Sequence, residues 1–132
     1  MTVKDFADKY FLHDRGIEEI EYAVADKRLM LKIDSCHWWA IDGKPNEMII
    51  GVIRVTFKDV SRFEYDDCAA DRIFTAELNN EIFDGDVEDR DTLILTIGDY
   101  LPPEDVFYRL TICAACAEVE ELAELERFIF NY

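Results

Sequence analysis

Apolar positions change their period several times along this chain, and the changes mark its elements. Val3, Phe6, Ala7, Tyr10 and Phe11 recur at three- and four-residue spacing behind Thr2-Val-Lys-Asp5. A Thr followed three residues later by an acid is a capping-box-like start, so the pattern predicts a short amphipathic helix running through Leu12. After His13-Asp-Arg-Gly16 the period falls to two. Ile20, Tyr22 and Val24 alternate with Glu19, Glu21 and Ala23, and Ala25-Asp-Lys-Arg28 separates them from Leu29, Leu31 and Ile33. That is the signature of a β-hairpin with one wet face.

Cys36-His-Trp-Trp-Ala-Ile-Asp-Gly-Lys-Pro-Asn46 breaks the alternation and collects turn residues, which predicts a connection with two large aromatics folded back onto the sheet. From Met48 to Phe57 the chain is almost continuously apolar or β-branched, as expected of a central strand buried on both faces. Lys58-Asp59 separates it from a shorter strand over Val60 to Tyr65, and the acidic stretch Asp66 to Asp71 makes the next connection. Further strands are expected over Ile73 to Phe83, Asp91 to Ile97 and Val106 to Ile112, with Pro102-Pro103 barring continuation between the last two. The segment Ala117 to Phe130 fits two periods. Val119, Leu122, Leu125 and Phe128 recur every three residues, while its glutamates also alternate loosely with apolar neighbours. Its Ala, Glu and Leu content favours strand through Cys113 and helix after it.

Together these elements predict one domain over residues 1–132, mainly β to α+β. The expected architecture is a single antiparallel, meander-like sheet curved into a partial barrel or sandwich, with an N-terminal helix and a C-terminal one.

Composition adds the sign of the surface. The chain carries 30 acidic against 14 basic residues, a formal charge of −16, although half of it is hydrophobic and it holds nine Phe, six Tyr and two Trp. So much apolar material builds a core, which leaves the charge on a folded exterior. A negative field of that size disfavours nucleic acid and anionic membranes and attracts cationic proteins. The start Met1-Thr-Val-Lys-Asp-Phe lacks the basic-then-apolar layout of a signal peptide, and four unevenly spaced cysteines do not form a secreted staple framework. The expected location is the cytoplasm, with reduced thiols behaving as small core hydrophobes.

Residues that could carry chemistry are few. Cys113-Ala-Ala-Cys116 could join Cys36-His37 around zinc, but it lies in a core-like Leu-Thr-Ile-Cys-Ala-Ala-Cys-Ala run, and on a strand its thiols would face opposite ways. His13 and His37 could activate Cys36 or Cys68 as a nucleophile, although nothing places them together. His13 also suits the closing of a helix end. Asp84, Asp86, Glu88, Asp89 and Asp91 put five carboxylates in eight residues, without the glycine position or closing Glu of a calcium-binding EF-hand. No phosphate-cradling glycine loop or catalytic motif occurs. No cofactor and no metal are expected.

The opening Phe11-Leu-His-Asp14 followed by Ile17, Ile20 and a hairpin, with Val55-Thr-Phe-Lys-Asp-Val60 ending a long central strand, resembles small bacterial β-rich domains. These include uncharacterised families and immunity proteins associated with polymorphic toxins. The resemblance covers the layout of about the first half of the chain, and Arg15 departs from the small residue that often follows His-Asp there. It implies an antidote that binds a toxin domain, with no catalytic residues.

The functional expectation is therefore a non-enzymatic acidic protein that docks a basic protein partner through Trp38, Trp39, Asp42, Asp84, Asp86, Glu88, Asp89 and Asp91. Adjacent tryptophans on a loop could serve as contact anchors or could cover the end of the sheet. The rivals are a small hydrolase or metal enzyme using the cysteines and histidines, and a self-associating domain, such as a homodimer, pairing through an edge strand or the C-terminal apolar stripe.

Overall fold

Long strands that bend rather than stop dominate the structure, a computed structural model describing residues 1–13, 15–65, 80–101 and 104–130. The elements are helix α1 (Val3–Lys9) and strands β1 (Tyr10–Phe11), β2 (Arg15–Ala23), β3 (Arg28–Ile41), β4 (Lys44–Tyr65), β5 (Asn80–Val87), β6 (Thr92–Leu101) and β7 (Glu104–Ile129). Every pairing is antiparallel, and the order is β1-β3-β2-β5-β6-β7-β4 with β3 also joined to β4. The single sheet therefore curls back on itself. Among the described residues, β2 and β5 pair at Arg15↔Ile82, Gly16↔Glu81 and Ile17↔Asn80.

α1 starts as predicted. Thr2 Oγ1 accepts from the Asp5 N–H at 3.0 Å, and the Thr2 N–H donates back to Asp5 Oδ2 at 3.4 Å. The helix ends at Lys9 rather than Leu12, because Tyr10 is extended (φ −107°, ψ 123°) and pairs with Trp38 in β3. Lys9, not His13, is the cation in its last turn. Val3 and Phe6 are fully buried, and the Phe6 ring meets Phe57 edge-on at 5.7 Å. The helix thus plugs one opening of the curled sheet.

The predicted hairpin is β2–β3, in register from Ala23↔Arg28 to Ile17↔Ile33, and Lys27 supplies the positive φ of its turn. The core lies inside the curl. Leu29, Leu31 and Ile33 of β3 meet Ile53, Val55 and Phe57 of β4, Leu93, Leu95 and Ile97 of β6, and Leu110 and Ile112 of β7. All are fully buried and sit at two-residue spacing, as one face of a pleated strand requires.

Four expectations change. Residues 36–41 are not a connection but the continuation of β3, and the turn is only Asp42-Gly43, where Gly43 takes φ 77°. Lys58-Asp59 does not divide two strands. Asp59 adopts φ 52°, the Val60 N–H donates to the Lys27 carbonyl at 2.9 Å, and the ladder with β7 slips one residue between Val60 and Arg62, so β4 bends and runs on. β4 buries one face; on the other, Met48, Ile50, Val52, Arg54 and Thr56 are half-buried.

The fourth change is the largest. No C-terminal helix exists in the segment 117–129: it is the second half of β7, paired with β4 from Phe57↔Ala117 to Glu47↔Ile129. Helix formation there would have left one side of β4 without hydrogen-bond partners, and the strand register sets Lys58 against Glu118 (2.7 Å) and Arg54 against Glu120 (3.5 Å). The expected strand start over Ile73 and the connection at Asp66 to Asp71 lie outside the described residues, as do Pro102-Pro103.

Candidate functional site

Because β3 runs straight through the tryptophans, its pleat sends them to opposite faces. Trp38 points inward. It is 3% exposed, tilts against the Tyr10 ring at 5.6 Å and lies over Gly51. A Cβ on Gly51 would collide with the Ala123 carbonyl oxygen and come within 2.7 Å of Trp38 Cη2, so the absence of a side chain there makes room for the indole. Trp38 is a core residue, not a surface contact.

Trp39 points outward, and around it the register gathers an aromatic stripe. Phe11 of β1 meets its ring edge-on at 6.2 Å, and Phe130 does so from the end of β7 at 6.0 Å. Across the ladder Trp39 pairs with Met48, which pairs with Phe128. The stripe thus crosses β1, β3, β4 and β7. Phe11, Phe128 and Phe130 are exposed, while Trp39 and Met48 are half-buried.

Charges lie beside this stripe, and Glu126, two residues from Phe128 along the strand, shares its face. Asp42 stands in the β3–β4 turn, 3.7 Å from Lys9 Nζ. On the opposite face, Arg127 Nη1 donates to Glu47 Oε1 at 2.6 Å, and Arg127 also pairs with Glu124. Beside Trp39 an open groove of about 370 Å³ is lined by Met1, Asp5, Asp8, Lys9, Trp39, Asp42 and Gly43. Three carboxylates and one ammonium give it a negative balance.

The remaining acidic candidates lie elsewhere. Asp86 and Glu88 line a second depression of about 390 Å³ with Val87, Ile94, Thr96 and Arg109. Asp89 and Asp91 are exposed in the β5–β6 turn, where Asp91 Oδ1 accepts from Thr92 Oγ1 at 3.1 Å. The side chain of Asp84, on β5, is outside those described. This turn is anchored to the start of α1 by the Lys4 N–H donating to the Arg90 carbonyl (3.0 Å), whereas Asp42 neighbours Lys9 at the helix end. The seven-residue helix, about 10 Å long and itself carrying exposed Asp5 and Asp8, lies between the two acidic groups.

Among the described residues the cysteines and histidines do not assemble. Cys36 is buried; burial pushes its thiol up to about 12, only partly opposed by Arg15, so it stays protonated at neutral pH. A nucleophile needs the reverse. His37 receives a hydrogen bond on Nδ1 from Arg15 Nη2 at 3.2 Å, and burial followed by the Arg15 charge lowers its pKa from the usual 6.5. His13 is exposed beyond β1. Cys113 Sγ lies 3.1 Å from Thr92 Oγ1. Cys68 is outside the described residues. Among the described residues no group of three or more His, Cys, Asp or Glu is placed to hold a metal ion, and no helix is long and apolar enough to cross a membrane.

Sequence reasoning missed Phe11, Phe128 and Phe130 as surface aromatics. Their signal was present: with 117–130 extended, alternation puts Phe128 and Phe130 on one face, that of Met48. No protein-family model, curated protein or solved structure matches the chain.

Proposed function

We propose that this protein is a non-enzymatic binding protein that docks a basic protein partner, and that the partner is a toxin domain which it neutralises. The observation that supports this reading is the Phe11–Trp39–Phe130 stripe with Met48 and Phe128, an outward-facing aromatic row flanked by Asp42 and Glu126. Aromatic anchors with a charged rim are the usual anatomy of an interface hot spot. The net charge of −16 supplies long-range attraction for a cation-rich surface. In this reading Trp39 and Asp42 contact the partner, while Trp38 acts only by holding the strand that presents Trp39.

The test is titration calorimetry against a panel of purified basic toxin nuclease domains, repeated at low and high salt. One domain should bind stoichiometrically, with association slowing steeply as salt rises. Trp39→Ala should weaken that binding about tenfold or more, in the range of a hot-spot truncation. Absence of binding across the panel, or an association rate indifferent to salt, overturns the reading.

A further inference from the structure

Among the described residues, the second half of β7 has a strand neighbour on one side only. Its pairing with β6 ends at Thr92↔Cys113, whereas its pairing with β4 continues to Glu47↔Ile129. Just past that point the Ala114 N–H donates to the Asp91 carbonyl at 3.0 Å and the Ala117 N–H to the Met1 carbonyl at 2.9 Å. Beyond Ala117, no strand among the described residues pairs with this edge. A row of backbone donors and acceptors facing water is a template for an added strand.

The side chains along this edge say what kind of strand it accepts. Leu125 and Ile129 are 54% and 69% exposed, and Phe128 is 46% exposed. Lys58 and Arg54 of β4 answer Glu118 and Glu120, and Glu121 Oε1 accepts from the Tyr10 hydroxyl at 3.1 Å, which leaves Glu124, Glu126 and the neighbouring Glu47 against Arg127. A second copy of β7 laid antiparallel about residue 122 would set Glu118 against Glu126 and Glu120 against Glu124, and like charges on facing positions destabilise a sheet pair. Lysine or arginine at those positions reverses the sign.

We infer that the open edge of β7 over residues 118–129 captures an extended segment of a cationic protein as an additional antiparallel or parallel strand. Backbone hydrogen bonds hold the segment, its basic side chains face the glutamates, and its apolar ones cover Leu125 and Ile129. The inference rests on the reading of this protein as an acidic docking module and specifies how the partner is held.

The probe is a synthetic peptide of about ten residues, at the long end of ordinary strands, alternating lysine with valine or threonine. A control peptide carries the same side chains with N-methyl groups on alternate backbone nitrogens, which removes donors and keeps the charge. Binding by fluorescence anisotropy should be at least about tenfold weaker for the methylated peptide, and hydrogen exchange should slow in 118–129 when the unmodified peptide binds. Val119→Pro tests the protein side. The Ala117 N–H points away from β4, so the Val119 N–H, two residues on in an unbroken register, also faces the open edge, and proline there removes a donor without breaking a β4 bond. This variant should lose most of the affinity.

Equal binding of the two peptides overturns strand capture while leaving acidic docking intact. So does a basic toxin domain that binds without protecting 118–129. Light scattering that reveals a dimer, with exchange in 118–129 slowed as concentration rises, overturns it by making a second copy the occupant. Failure of every cationic probe, peptide or domain, overturns the docking reading and this inference together.

Discussion

The curled part of the sheet and the ribbon that extends from it are built from the same strands, yet they obey opposite rules. In the curl, β3 and β4 alternate strictly, and every inward residue from Leu29 to Ile33 and from Ile53 to Phe57 is fully buried. In the ribbon, residues 36–41, 44–52 and 121–129 lose that closure as the chain moves outward. Trp38 and Ile49 are still covered, but Ile41, Leu125 and Ile129 are exposed. The difference teaches that alternation builds stability only where a second layer meets it. Where none does, the same alternation presents a surface.

Mutation should separate the two regions. Ile53→Ala deletes a fully buried side chain in the curl and should cost about 3–4 kcal/mol by urea denaturation, a large share of a domain's total stability. A loss no greater than that of a surface substitution would erase the distinction between the regions. Hydrogen exchange should show nearly the same gap without mutation. Amides of β3 over 29–33 should be protected by roughly 3 kcal/mol more than outward-facing amides of β7 over 119–129.

The boundary itself is next in size. Gly51→Ala puts a methyl group against the Ala123 carbonyl and the Trp38 ring, and should cost about 2 kcal/mol with a red-shifted, more quenchable tryptophan emission. Unchanged fluorescence would mean that Trp38 is not seated there. In the outer ribbon, Leu125→Ser should change stability by no more than about 0.5 kcal/mol, because its side chain already meets water. A larger effect would show that the ribbon is covered in solution.

The smallest effect concerns pH. Burial and the Arg15 charge lower the pKa of His37 in the fold, so folding favours its neutral form. The unfolded chain then binds the proton more tightly. The stabilising contribution is complete above about 6.5, the ordinary histidine value, and is lost as pH falls through the depressed value. His37→Gln should flatten this part of the stability profile, read as melting temperature against pH. An unchanged slope would assign it to another group.

Much of the curl was legible in the sequence. The capping box at Thr2 and Asp5, the hairpin between Ala23 and Arg28, and the runs at 93–97 and 110–112 each carry a local signal that the fold keeps. The ribbon was not. Asp42-Gly43 was visible as a turn, but the tryptophans and the neighbouring Pro45 made residues 36–46 look like a loop. The stripe around Trp39 could not be foreseen while its fourth strand was expected to be a helix.

The sequence by itself determined that this chain builds an apolar core under a strongly negative exterior, that most of it is extended, and that a helix opens it. These follow from composition, two-residue alternation and capping, all of which act between near neighbours. Only the tertiary structure decided that Ala117 to Ile129 is a strand, that Trp38 is buried while Trp39 is outside, and that among the described residues one edge of β7 is unpaired beyond Ala117. Periods of two and three both fit that segment, and neither is decisive in isolation. The choice was made by β4, whose backbone donors and acceptors require a partner along nearly its whole length.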